Sequence, residues 1–350
     1  MPQETKQWLL ASEPVADAIL SGPDSTFKLV TTTLPALKDN QVLLHTTHLS
    51  NDPAQRGWIQ RGQDPARSYT PPVAVNTPMR AYGVAEVIES TAAALPTGTL
   101  VIATVCWSEY AVLDAAECRV LTPTDGAKPT HFLGALGGTG LTAYYGLVDI
   151  ARATAADAVV VSGAAGATGS MVVQIAKHIV GCKRVIGIAG SEEKCRWVES
   201  LGADVCVNYK AASFKEDLWA ATEGFVEVYF DNVGGEILDL MLQRLKREGR
   251  VAACGSISNY NAGDKAAGLK NWFEITRNRL EVKGFIVTDA VVAGKTGAFT
   301  KILTAAVKEG KIKLGPEVET VIPTKFEDIP KTWVKLFSGG NQGKLVTQLI

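Results

Sequence analysis

The chain has little that could build a metal centre or a covalent scaffold: four histidines and six cysteines among 350 residues. Cys106, Cys118, Cys182, Cys195, Cys206 and Cys254 include no C-x-x-C pair, and no Asn-x-Ser/Thr sequon occurs, which suits a reducing compartment. Each cysteine reads first as a small buried hydrophobe. No Lys/Arg run is present and the formal net charge is −1, arguing against nucleic acid or an anionic leaflet as partner. No uninterrupted apolar run approaches the roughly 18–20 residues that span a bilayer, and the opening MPQETKQWLLASEP lacks a basic segment followed by an apolar one. These absences predict a soluble, cytoplasmic protein whose partner is a small molecule.

What is present is enough apolar residues, 46%, for two cores, because single cores stop growing near roughly 250–300 residues. Up to about His131 short alternating runs (FKLVTTTL, QVLLHTTHLS, AYGVAEVIES, TLVIATV, EYAVLD) predict strands of an all-β unit. Within it RGQDPARSYTPPVAVNTP, broken by four prolines, predicts a long surface loop of the kind that carries function. From about Gly134 short β-branched runs alternate with helix-length segments, among them EILDLMLQRLKREG as a helix and VKGFIVT as a strand. That alternation predicts a parallel sheet covered by helices. The tail ends in a strand pattern that could rejoin the β unit. Domains are expected at 1–133 with 318–350, and at 134–317.

The stretch VVVSGAAGATGS places a buried strand before Gly163, Gly166 and Gly169 and an apolar helix after them. A turn of that kind brings backbone N–H groups and a helix N-terminus to a phosphate, with Ala167 and Thr168 in the approach. The usual G-x-G-x-x-G is short of one glycine, since Ala164 occupies the first position, so the βαβ context carries the reading. The second strand ends Ala189-Gly190-Ser191 with no carboxylate at its tip, and Ser191 and Lys194 could take a 2′-phosphate. This favours NADPH/NADP over NAD. Glu192 and Glu193 complicate that reading, although at a helix start they also complement the dipole.

DPAQRGW, GLTAYYGL, SGAAGATGS, GSEEKCRWVESLGADVCVNYK, FDNVGGE, CGSISNYN, GFIV and GNQGK together resemble the zinc-independent medium-chain dehydrogenase/reductases. The likeness is to the branch of leukotriene B4 dehydrogenase/prostaglandin reductase and the alkenal double-bond reductases. It implies an α/β protein with a GroES-like β domain and a Rossmann doubly wound parallel-sheet domain, and it suggests a homodimer paired near GFIV. It implies that Lys194 and Tyr209 hold the 2′-phosphate and that Asn232 contacts ribose or nicotinamide. It places Cys254, Ser256 and Tyr260 in a loop passing the nicotinamide, Phe285 and Val287 beside it on the next strand, and Asn341 on the cofactor from the tail. Ala54 stands where relatives carry a tyrosine, and Gly138 with Thr139 where they often carry Met-Pro, so the pocket should differ. Trp58, Tyr69, Tyr82 and Trp107 could line its mouth or pack in a core.

The resemblance also implies a site without metal, since AYGVAEV stands where zinc-dependent relatives need Gly-His-Glu and the structural cluster of four cysteines is absent. Hydride delivered to the β-carbon of an enone or enal moves charge to the carbonyl oxygen, where uncharged donors stabilise an enolate. In the family a tyrosine and the cofactor ribose hydroxyl are those donors, and Tyr260 stands at the tyrosine. The expected activity is NADPH-dependent reduction of the C=C bond of α,β-unsaturated ketones or aldehydes. Alternatives are an NADPH quinone reductase and a non-catalytic NADP-binding structural or sensor protein.

Overall fold

The computed structural model describes residues 3–122, 124 and 126–350, and the chain separates into two compact units. The first comprises Met1–Leu133, Thr320–Asn341 and Leu345–Ile350. Its sheet orders the strands Glu319–Thr324, Lys344–Leu349, Gln41–Ser50, Gly83–Ser90, Leu100–Ala103 and Arg119–Val120, with Tyr110–Asp114 paired to Gln41–Ser50 off that path. The tail strand is antiparallel to Gln41–Ser50, with Val346 opposite Ser50 and Gln348 opposite His48. An aromatic cluster fills the core: Trp107 lies 4.9 Å from Phe27 and 5.9 Å from Trp333, ring to ring. Trp107 is 0% exposed, so of its two expected roles it takes the core one and lines no pocket mouth. Burying a ring of that size yields about 2–3 kcal/mol, which a mouth position would forgo.

The second unit comprises Gly134–Glu319 and Gln342–Lys344. Its six parallel strands are β1 Ala158–Ser162, β2 Arg184–Ala189, β3 Val205–Asn208, β4 Val226–Asp231, β5 Leu245–Ala253 and β6 Glu281–Gly284. They lie in the order β3-β2-β1-β4-β5-β6. This is the doubly wound Rossmann order, in which the direction of winding reverses beside β1 and leaves a crevice beyond the strand ends. All five residues of β1 are buried, as its run of valines requires of a strand covered on both faces. Helix α1 Gly138–Tyr144 precedes β1, α2 Ala167–Gln174 follows it, and α3 Glu192–Ser200 follows β2.

Two segments depart from the sequence reading. The helix expected over EILDLMLQRLKREG is α4 Gly235–Leu242 only, and the chain from Leu245 already belongs to β5. Leu245 pairs with Val226 and Glu248 takes a left-handed φ of 61°, so sheet pairing overrides the helical propensity of LKREG. The strand expected over VKGFIVT ends at Gly284, and Val287 opens the short helix α5 Val287–Val292. Among the described residues no helix is long and apolar enough to cross a membrane.

Candidate functional site

The turn from β1 into α2 is built for close approach of backbone. Gly163 takes φ +58°, Gly166 N–H donates to Gly163 O at 2.9 Å, and a Cβ on Gly169 would sit 2.2 Å from Gly163 O. No side chain caps the first turn of α2, so the positive end of its dipole and the first N–H groups face the crevice without a side-chain acceptor. Ala164, the departure from the fingerprint, points the other way. It is fully buried, its N–H donates to Ile188 O at 3.0 Å, and a Cβ on Gly187 would meet its methyl at 3.2 Å. The missing glycine therefore costs the phosphate approach nothing.

At the end of β2 the chain makes a cationic corner. Ser191 caps α3, its Oγ accepting from the Lys194 backbone N–H at 3.2 Å. The ring of Tyr209, just past β3, covers Gly190: a Cβ there would lie 3.0 Å from Tyr209 Cε1. Lys210 carries its ammonium 5.8 Å from the centre of that ring. Burial, then the neighbouring Lys210 charge, holds the Lys194 ammonium below its usual pKa, with Glu193 opposing. Two like charges pressed together in this way favour binding of an anion between them. Glu192, whose carboxylate could have spoiled the corner, accepts a hydrogen bond from Asn208 Nδ2 at 2.8 Å.

The end of β4 is tied to β1 by a buried carboxylate that the sequence reading passed over. Asp231 Oδ1 accepts from Tyr229 OH at 2.8 Å, Ser162 Oγ at 3.1 Å, Val233 N at 3.0 Å and Gly234 N at 2.9 Å. Burial pushes its carboxyl above the ordinary range. Asn232 N–H donates to Ser162 Oγ, and its Nδ2 donates to Ser162 O at 2.7 Å, so this side chain is fixed at the mouth of the glycine turn. The Asp231 carbonyl takes Cys254 N and Gly255 N at 2.8 and 3.1 Å, which sets the start of the next loop. In that loop Ser256 N donates to Tyr260 Oη at 3.2 Å, and Asn259 Nδ2 donates to Ser256 Oγ. Cys254 is pushed up to about 12 by burial and then by Asp231, so it packs and does not ionise.

The remaining expected residues are dispersed. Phe285 lies past the end of β6 with its ring against Tyr145 and Phe230, and a Cβ on Gly146 would fall 2.2 Å from its Cζ. Val287 starts α5. Asn341 belongs to the first unit. Gly138 opens α1 with open space where a Cβ would be. In the first unit, Ala54 begins the helix Ala54–Trp58, and Trp58 Nε1 donates to Tyr69 OH at 2.8 Å. Arg80 lies over the Trp58 ring at 5.6 Å and donates to Thr70 Oγ1 and Pro71 O. Trp58, Tyr69 and Arg80 thus form one cluster on the proline-broken loop, and Arg80 went unnoticed because a single arginine between apolar residues carries no pattern.

Comparison with known proteins follows the same two parts. Residues 6–121 match the family described as N-terminal domain of oxidoreductase, and residues 167–303 match the one described as zinc-binding dehydrogenase. Among the described residues there is no group of three or more His, Cys, Asp or Glu side chains that could hold a metal ion. The chain is 40% identical to a putative NADP-dependent oxidoreductase, YfmJ, of Bacillus subtilis over 91% of both chains. It is 37% identical to prostaglandin reductase 1 of Rattus norvegicus over 93% of this chain and 94% of that one. A crystal structure of CurA from Vibrio vulnificus in complex with NADPH superposes with a TM-score of 0.87 at 34% identity, over 99% of both chains. With a GroES-like N-terminal domain and a Rossmann sheet, the chain belongs to the zinc-independent medium-chain dehydrogenase/reductases, in the branch of prostaglandin reductase 1.

Proposed function

We propose that this protein is an NADPH-dependent reductase of the carbon–carbon double bond in α,β-unsaturated ketones or aldehydes. The observation that carries the proposal is the corner at the end of β2: Ser191, Lys194, Tyr209 and Lys210 converge where no carboxylate stands at the strand tip. A cation and a phenol beside a capping hydroxyl suit a dianionic 2′-phosphate. The glycine turn would take the pyrophosphate on the N-terminus of α2. Likeness to the NADPH complex of CurA and to prostaglandin reductase 1 supports the same reading.

NADPH, when bound, supplies the hydride. The chain's own residues would orient and stabilise. Asn232, anchored on Ser162, and the Cys254–Tyr260 loop, anchored on the Asp231 backbone carbonyl, would give the nicotinamide end a rigid floor. The Tyr260 hydroxyl would donate to the substrate carbonyl oxygen as negative charge gathers there, sharing that load with the cofactor ribose hydroxyl. Trp58, Tyr69 and Ala54 would receive the apolar body of the substrate. In the cytoplasm the protein would act as a homodimer, for which the exposed edge strand β6 and the exposed Val282, Val291 and Val292 provide surface. Sedimentation at twice the chain mass is the check on that point.

The test is an enone and enal panel with NADPH consumption followed by product NMR. A saturated product with its carbonyl intact is expected; an allylic alcohol, or quinone turnover far exceeding that of every enone, overturns the assignment. Tyr260→Phe is expected to lower kcat about tenfold with NADPH KM unchanged, the loss of one hydrogen bond to a developing charge. An unchanged kcat would remove Tyr260 from the chemistry.

A further inference from the structure

We propose that Asn208 is a specificity-determining residue for the coenzyme: it holds the Glu192 carboxylate off the phosphate-binding corner. The inference rests on the NADPH reading above. Glu192 is the first residue of α3, between the Ser191 cap and Lys194, just past the strand tip where an acid would select NAD, so its carboxylate if free would repel a 2′-phosphate at this corner. Asn208, the last residue of β3, intercepts it through the 2.8 Å hydrogen bond from its Nδ2. The same side chain accepts Lys210 N–H on its Oδ1 at 3.1 Å, so one amide both turns the chain that presents Tyr209 and Lys210 and retires the acid opposite them. The Glu192 charge bears on Cys195 and Cys206, whereas Glu193 and Lys210 bear on Lys194. A strand tip lacking an acid is therefore only half of the phosphate preference; the other half is an acid present and tied away.

Asn208→Ala frees that carboxylate to approach the phosphate. In water a unit charge pair a few ångströms apart is worth about fivefold in an equilibrium, so NADPH KM should rise about fivefold while NADH KM changes by less than about twofold. Adding Glu192→Gln to Asn208→Ala should return most of the NADPH loss, because an uncharged amide repels nothing. The penalty should also shrink at about 1 M salt, where screening shortens to roughly 3 Å. A merely structural part for Asn208, through the turn at Lys210, predicts equal losses on both coenzymes, no recovery in the double variant and no salt response, and any of these overturns the inference. Fluorescence titration of the unmodified protein separates the two levels. Absence of an NADPH preference there sinks the cofactor reading itself, whereas a preference left undiminished by Asn208→Ala sinks only the role of Asn208.

Discussion

Lys194→Ala is expected to raise the KM for NADPH about a hundredfold and to move the KM for NADH by less than about threefold. A hydrogen bond to a fully charged partner contributes about 1.5–3 kcal/mol, a factor of roughly 10 to 150, and on the proposed function Lys194 would make one with the 2′-phosphate. Its ammonium already bears the cost of burial and of Lys210 beside it, and an arriving dianion reverses both. Lys194→Arg should recover only part of the loss, since a planar guanidinium fork does not reproduce the compact point charge of an ammonium. The second ionisation of the phosphate falls near pH 6, so the NADPH preference of the unmodified protein should weaken as pH drops below about 6, and that pH dependence should flatten in Lys194→Ala. Steady-state kinetics with both coenzymes over pH 5–8 is the measurement; equal losses on NADPH and NADH would contradict the assignment of this corner.

The parts of this site that the sequence made legible are those written in backbone. Three valines running into spaced glycines announce a buried strand and a turn without side chains, and β1 with the turn into α2 follows from them. Ser191 and Lys194 were legible from the end of the second strand and from the family resemblance, and the structure makes Ser191 the cap of α3. Asn208 was not, because its meaning depends on β3 lying beside β2, which brings together residues sixteen positions apart in the chain. Local propensity also misled at LKREG, where four helix-tolerant residues before a glycine start a strand that β4 pairs at Leu245 and again from Arg250. Trp107 shows the limit from the other side: a tryptophan in the segment between two strands has the same letter whether it faces a mouth or a core, and only the positions of Phe27 and Trp333 decide. Asp231 was readable in principle, since an acid closing the buried run VYFD must be satisfied or expelled.

Asp231→Ala is expected to cost about 4 kcal/mol, among the larger effects of a single substitution, and to lower Tm by about 10 °C. Alanine leaves the Tyr229 and Ser162 hydroxyls and the Val233 and Gly234 N–H groups without their shared acceptor inside the protein. Water cannot take its place cheaply, because Tyr229 and Ser162 are fully buried. Asp231→Asn keeps an acceptor oxygen in the same place and should cost less than half as much. The two variants also differ from the parent in pH response. Burial raises the folded pKa of Asp231 above its unfolded value near 3.8, so folding takes up a proton in that window, and the group's contribution to stability is greatest in acid and falls as pH rises through the folded value. The stability difference between the parent and Asp231→Asn should therefore be largest at low pH and shrink toward neutrality, after which it stays level. Denaturant unfolding at several pH values reads this directly, and a difference that grew with pH would show that the carboxylate is stabilised by its four donors more than burial penalises it. Because the Asp231 carboxylate also fixes Ser162 Oγ, which accepts the Asn232 N–H, Asp231→Asn at a temperature where it is fully folded should still lower kcat through Asn232, whereas the loop carrying Tyr260 hangs on the Asp231 backbone carbonyl and keeps its anchor.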